Sequence, residues 1–271
     1  MLSRIGGSKM KNKCAVILCG GKGSRLGSLA KKIPKTLVKI QKKEVLWYII
    51  KYLKYSGFNK IILPLGYKGD QIRRFLKKQK FQDLDIKSID TGVDTHIGSR
   101  INKIADKIEF KNFLLLNGDA VFKINLKSIY ENHCKKNCDI TFLSGEITYP
   151  YGTIGVFKNK VLDFSRNLVF DRLKIRGGKK KYEAFNYTGI SVIKTELLKK
   201  YKNFFSKSDN FEQKFYPKII RKYKTNLIKI NGFWHSIDNL KDIDVVNKKN
   251  INNKKYFNMK KLKNFLEKAK K

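Results

Sequence analysis

Short apolar runs alternate with stretches whose apolar positions recur every three or four residues, and this alternation governs the first half of the chain. Strands are predicted at 14–19, 60–65, 85–90, 113–116 and 139–144, with helices between them. In the segment 44–55, Val45, Leu46, Ile49, Ile50 and Leu53 stand at helical spacing, and Gly57 follows as a stop. The segment 70–80 repeats that period more weakly. Strand and helix in turn predict an α/β, Rossmann-like fold: a mostly parallel sheet covered by helices on both faces.

After Gly145 the pattern changes. Strands are predicted at 153–157, 161–164 and 187–193, with a basic, glycine-containing connection at 174–181. This makes the second half mixed or antiparallel. Helices are expected at 194–204 and 210–222, a strand at 225–230, and a helix at 239–248 beyond Gly232-Phe233-Trp234-His235. The chain thus divides into an N-terminal extension (1–12), one domain (13–249) and a basic, amphipathic tail (250–271). Within the domain, 13–145 is expected to hold one substrate and 146–249 to face the other.

Composition narrows the function classes. No apolar run approaches the ~20 residues of a membrane span. The basic N-terminus resembles the start of a signal peptide, but Gly20-Gly21-Lys22-Gly23 follows with no small-residue cleavage pattern. A soluble, cytoplasmic protein without a membrane partner is expected. The net charge of +39 would ordinarily suggest nucleic acid. Here the excess is spread along the chain and Lys far outnumbers Arg, so no nucleic-acid partner is expected, although polyanionic small molecules would be attracted. Four cysteines at irregular spacing make no disulfide framework. His133, Cys134 and Cys138 lack a second pair of metal ligands and are expected to be solvent-facing helix residues. A homo-oligomer is compatible with the sequence but not indicated by it.

The strongest chemical signal follows the first strand. Gly20, Gly21 and Gly23 precede Ser24 and Arg25, so backbone N–H groups can converge on an anion and a guanidinium is at hand. An ordinary tight turn would use the same glycines. The spacing fits neither a P-loop nor a dinucleotide fingerprint, which would need a glycine where Leu26 stands. Pro34-Lys35 strengthens the anion reading, because a rigid turn presents a lysine ten residues beyond Arg25.

Together, Gly20-Gly21-Lys22-Gly23-Ser24-Arg25-Leu26 and Pro34-Lys35 resemble the signature of the sugar-1-phosphate nucleotidylyltransferases. The likeness continues through Gly66-Tyr67-Lys68-Gly69, Asn117-Gly118-Asp119 and Gly232-Phe233-Trp234 with Asp238. It implies Mg²⁺-dependent transfer from a nucleoside triphosphate to a sugar 1-phosphate, with Arg25 and Lys35 as the catalytic cations. Nucleotide contacts are implied for Leu18, Cys19, Gly20, Gly21, Lys22, Gly23, Ser24, Arg25, Lys35 and Gly118.

Asp119 ends a buried strand, where open α/β sheets bind ligands and a metal carboxylate is well placed. Asp238 is the second metal ligand by resemblance; alone, it would read equally as a helix cap before Asn239. The segment 90–100, from Asp90-Thr91-Gly92 to Arg100, is similar to glucose-1-phosphate cytidylyltransferases, with Ser99 in place of a glycine. That likeness favours CTP, with Thr95 and Arg100 on the nucleotide and Gly98 admitting the base. Two departures bear on specificity. The stretch 81–87 is short, as in heptose-1-phosphate guanylyltransferases, and the family's E-K-P aligns with Arg166-Asn167-Leu168, which lacks its lysine. Arg166, Tyr187 and Gly189 are the candidates for the acceptor, so a guanylyl-, thymidylyl- or uridylyltransferase and a non-catalytic nucleotide sensor remain alternatives.

Overall fold

A computed structural model describes residues 13–148, 152–157, 160–166, 169–170, 173–177, 180–206 and 209–252. Its seven-stranded sheet runs in the order Thr225–Lys229, Ile140–Ser144, Tyr187–Lys194, Asn112–Asn117, Lys13–Leu18, Phe58–Leu65 and Asp85–Asp90. Neighbouring strands are parallel except around Tyr187–Lys194, which is antiparallel to both its neighbours. The expected mostly parallel α/β sheet is therefore present.

The apolar runs follow from burial on both faces. Along Lys13–Leu18, Ala15 and Ile17 enter one hydrophobic cluster while Cys14 and Val16 enter another, and all four are fully buried. The helices Val45–Tyr55, Gly69–Gln79 and Leu126–Lys136 cover the first face. Ile97–Ile104, Thr195–Lys200 and Phe211–Ile220 cover the second. Each Leu or Ile buried this way contributes about 1.5–3 kcal/mol.

The chain leaves Lys13–Leu18 for Phe58–Leu65 and Asp85–Asp90 on one side, then returns to Asn112–Asn117 on the other. The crevice opens at the carboxyl ends of Lys13–Leu18 and Asn112–Asn117, where ligands bind in open α/β sheets. Both the glycine loop and Asp119 lie there.

Several elements differ from the sequence reading. The helix expected between the strands at 85–90 and 113–116 begins as early as Ile97, at Ile97–Ile104, because Ile97, Ile101 and Ile104 form one inward stripe that Gly98 and Ser99 obscure. The 174–181 connection is instead a pair of antiparallel strands, Leu173–Gly177 and Lys180–Ala184. A second unexpected pair joins Ala120–Lys123 to Phe233–Ser236, antiparallel, with Ser236 opposite Ala120. His133 and Cys138 are buried rather than solvent-facing; the His133 ring lies between Thr141 Oγ1 at 2.9 Å and Asn112 Oδ1 at 3.3 Å. These partners show why the helix turns a polar ring inward. Among the described residues no helix is long and apolar enough to cross a membrane. The 1–12 extension and the tail beyond Asn252 lie outside the described residues.

Candidate active site

The glycine loop leaves the sheet at Leu18, whose carbonyl accepts the Gly118 N–H at 3.1 Å and ties the loop to the strand end carrying Asp119. Cys19 is buried, and burial pushes its thiol well above the ordinary value. Gly23 has φ +63°, a left-handed conformation that glycine adopts readily, and a Cβ there would lie 3.1 Å from that of Lys35. Gly23 thus both turns the chain into Ser24–Leu26 and lets Lys35 pass close by.

Pro34, at φ −67°, leads into a single helical turn, and Lys35 extends from that turn into the crevice. Its ammonium donates to Asp119 Oδ2 at 2.6 Å and to Asp238 Oδ1 at 2.9 Å. Arg25 reaches the same Asp238 oxygen at 3.1 Å, and Ser236 Oγ donates to the other at 2.8 Å. The two carboxylates meet because Ala120–Lys123 pairs with Phe233–Ser236, and the Ile237 N–H donates to the Asp119 carbonyl at 2.8 Å. Partial burial opposes charge on both Lys35 and Asp238, but their mutual attraction outweighs it. The ammonium is held above its usual range and the Asp238 carboxyl below its own. Two carboxylates and two cations thus sit beside a loop of backbone donors.

The opposite wall is the segment 91–96. Thr95 lines the crevice and donates its hydroxyl to the Thr91 carbonyl at 2.5 Å. Lys22 and Asp94 form an exposed ion pair of 2.9 Å between this wall and the glycine loop. One expectation changes here. Gly98 does not line the crevice; a side chain there would run into the Phe205 ring, so its small size serves helix packing. Arg100 lines the crevice as expected, but it is only 3% exposed and its terminal nitrogens are hydrogen-bonded within the protein.

On the acceptor side, Tyr187 and Gly189 line the crevice. The Tyr187 hydroxyl is engaged with Tyr216 at 3.0 Å and Ser191 at 3.4 Å, so the ring alone faces outward. Arg166 ends the Lys160–Arg166 strand, and its side chain lies outside the described residues. Three further residues with polar groups, given no site role in the sequence, line the same space: Asn186, Glu212 and Trp234. Asn186 Nδ2 and Trp234 Nε1 are buried donors without a hydrogen-bond partner among the described residues. Glu212, open to solvent but crowded on its crevice side, has its carboxyl pushed up by that desolvation and by the charge of Asp119. The whole crevice encloses about 1350 Å³, room for two substrates rather than one.

Residues 14–165 match the family described as nucleotidyl transferase. The chain belongs to that family. A probable glucose-1-phosphate cytidylyltransferase of Bacillus subtilis (strain 168) is 31% identical over 259 residues, 86% of this chain and 94% of the relative. A D-glycero-alpha-D-manno-heptose 1-phosphate guanylyltransferase of Aneurinibacillus thermoaerophilus is 29% identical over 166 residues, 60% of this chain and 72% of the relative. Among solved structures, HddC from Yersinia pseudotuberculosis complexed with GMP-PN superposes with a TM-score of 0.67 at 23% identity. The match covers 88% of this chain and 99% of that one, and it supports the fold.

In this nucleotidyl transferase, Leu18 to Arg25, Lys35, Thr95, Gly118, Asp119, Tyr187, Gly189 and Asp238 all line one crevice. Nothing local in the sequence separates Glu212 from an ordinary acidic residue in a helix's first turn. Asn186 and Trp234 carried a faint signal, since Trp234 belongs to the Gly232-Phe233-Trp234 likeness and Asn186 precedes the acceptor candidate Tyr187.

Proposed function

We propose that the chain transfers a nucleotidyl group from a nucleoside triphosphate, with CTP the favoured donor, to a sugar 1-phosphate. The observation that carries this reading is Lys35 bridging Asp119 and Asp238 beside the glycine loop and Arg25. That arrangement suits an activated phosphate: donors for its oxygens, cations for its charge, and carboxylates for a counter-cation. Mg²⁺ fits the donor set. It prefers oxygen ligands and uses one or two carboxylates together with phosphates and water, and no third His, Cys, Asp or Glu joins the pair among the described residues. Asp119 and Asp238 would hold the ion, which when bound supplies charge neutralisation at the phosphates.

The remaining work belongs to the chain. An acceptor phosphate oxygen attacks the α-phosphorus in line, the new P–O bond forms as the α–β bridge breaks, and pyrophosphate leaves. The attacking phosphate monoester is largely dianionic at pH 7, its second pKa being about 6, so no general base is needed. Lys35 and Arg25 cover the charge that shifts onto the leaving group, while the glycine loop fixes alignment. Asn186, Trp234 and Glu212 offer two unpartnered donors and an acceptor to a hydroxyl-bearing substrate.

CTP is favoured by the 90–100 segment and by the cytidylyltransferase relative. GTP is second, because only five residues separate Gln79 from Asp85 and because of the guanylyltransferase relative. A cytoplasmic role in making precursors for surface polysaccharide accords with this chemistry. The reading is tested by pyrophosphate release from CTP, GTP, UTP and dTTP, each paired with a set of sugar 1-phosphates in Mg²⁺. Fast release from one pairing is expected, and no release from any pairing rejects the enzyme reading.

A further inference from the structure

The residues that line the crevice divide by charge. Among the described residues, its lysines and arginines are Lys22, Arg25, Lys35 and Arg100, all from the first half of the chain. Beyond Gly145, the carboxylates Glu146, Glu212, Asp238 and Asp242 line it, with no lysine or arginine beside them among the described residues. Lys and Arg outnumber Asp and Glu by 61 to 22 in this chain, so an acidic acceptor wall runs against the composition. A wall built only to attract a phosphate would carry the opposite sign.

Two of the four carboxylates are already answered. Asp238 meets Lys35 and Arg25, and Asp242 accepts the N–H groups of Asp238 and Asn239 at 2.7 and 2.8 Å. The carboxylates of Glu146 and Glu212 have no hydrogen bond or ion pair among the described residues. Glu146 follows the strand Ile140–Ser144. Glu212 stands in the first turn of Phe211–Ile220, which the Asn210 side chain caps by accepting the N–H groups of Glu212 and Gln213 at 2.9 and 3.2 Å. Desolvation and the charge of Asp119 push the Glu212 carboxyl up, and no cation among the described residues pulls it back.

Neutral polar groups border the same space. Thr36, 4% exposed, lines the crevice with its Oγ1 unpartnered among the described residues, as are Asn186 Nδ2 and Trp234 Nε1. Substrate hydroxyls therefore have neutral partners, and two carboxylates are left for a group of opposite charge. The rings of Tyr187 and Trp234 add aromatic surface, which also attracts cations.

We propose that the acceptor sugar 1-phosphate carries a free, protonated amine, and that Glu212 and Glu146 receive it. The phosphate of such a molecule is drawn toward Lys35 and Arg25 and its ammonium toward the two glutamates, so opposite charges orient it across the crevice. A hydroxyl in place of the amine leaves both carboxylates uncompensated, and acylation of the amine removes its charge. The proposal rests on the crevice being a nucleotidyl-transfer site and names the class of acceptor.

The test measures pyrophosphate release by the full chain in Mg²⁺ with CTP, GTP, UTP and dTTP. The acceptors are glucose 1-phosphate, amino-deoxyglucose 1-phosphates with the amine at different carbons, the N-acetyl form of each, and ethanolamine phosphate. One amino ester should exceed both its hydroxyl and its N-acetyl counterpart in kcat/KM by at least about tenfold. Glu212→Gln keeps the size and a hydrogen-bonding oxygen of the side chain and removes its charge. It should lower the ratio of kcat/KM between that amino ester and glucose 1-phosphate at least about tenfold, through the acceptor KM, with a thermal midpoint near that of the wild type. Glu146→Gln should move the same ratio in the same direction. Turnover of glucose 1-phosphate or of an N-acetyl form that equals or exceeds that of every amine overturns the proposal and leaves transfer to a sugar 1-phosphate standing. A ratio that neither substitution lowers overturns it too. Turnover of ethanolamine phosphate alone upholds the ammonium and rejects the sugar, whereas no release from any pairing rejects the transfer reading and this proposal with it.

Discussion

Lys35→Met separates the two jobs of the ammonium. With the ammonium in place, Asp119 and Asp238 each bond to the same nitrogen, at 2.6 and 2.9 Å. Lys35 thus occupies the space between the carboxylates that would take the divalent ion. Methionine keeps the length of the side chain and removes the charge. The carboxylates then face one another with Arg25 alone beside Asp238. At an effective dielectric near 20, two unit charges about 5 Å apart repel by about 3 kcal/mol. Asp238 is 37% exposed, and screening there leaves roughly half of that. A divalent cation relieves the repulsion, and about 1.4 kcal/mol is a tenfold change in affinity. Lys35→Met should therefore bind Mn²⁺ alone about tenfold more tightly than the wild type, measured by electron paramagnetic resonance in the absence of nucleotide. Its turnover should nevertheless collapse, because the charge on the leaving group is no longer covered. Mn²⁺ affinity that is unchanged or weaker in the variant refutes the reasoning.

Two further predictions follow from the same geometry and from the buried histidine. Asp119→Asn should lower kcat/KM by at least about 100-fold while circular dichroism stays native, and near-normal turnover would remove Asp119 from the reaction. Burial, helped by the charge of Lys194, pulls the His133 imidazole down to about 4. In the unfolded chain it titrates near 6.5, so its neutral form contributes stability that is complete above about pH 6.5 and is lost as the pH falls toward 4. The loss amounts to about 3 kcal/mol. Urea midpoints across that window should fall in the wild type, and the same slope in His133→Gln would contradict the assignment.

Much of the fold is legible one element at a time. The runs around Ala15, Ile62 and Leu115 are apolar on consecutive positions because both faces of their strands are buried, a condition that a short continuous apolar run registers directly. The glycine loop is equally local: its spacing and the Pro34-Lys35 turn carry the anion reading without any partner being known. Charge at 174–181 hid a pair of strands, and Gly98-Ser99 hid the first turn of a helix, since in both cases residue type outweighed a pattern too short to see.

Local sequence carries the layered α/β architecture, the glycine loop and the family. Those depend on the order of residue types along a few turns or strands. Which charges meet depends on how distant elements pack. Asp119 and Asp238 lie more than a hundred residues apart and converge because two four-residue strands pair, and strands that short carry no periodicity to read. Arg100 is enclosed because three backbone carbonyls converge on it, two of them, Gly20 and Leu65, from elements distant in the chain. Glu212, Asn186 and Trp234 enter the crevice for the same reason: a shared wall is a property of the packed elements, and each residue taken alone is unremarkable.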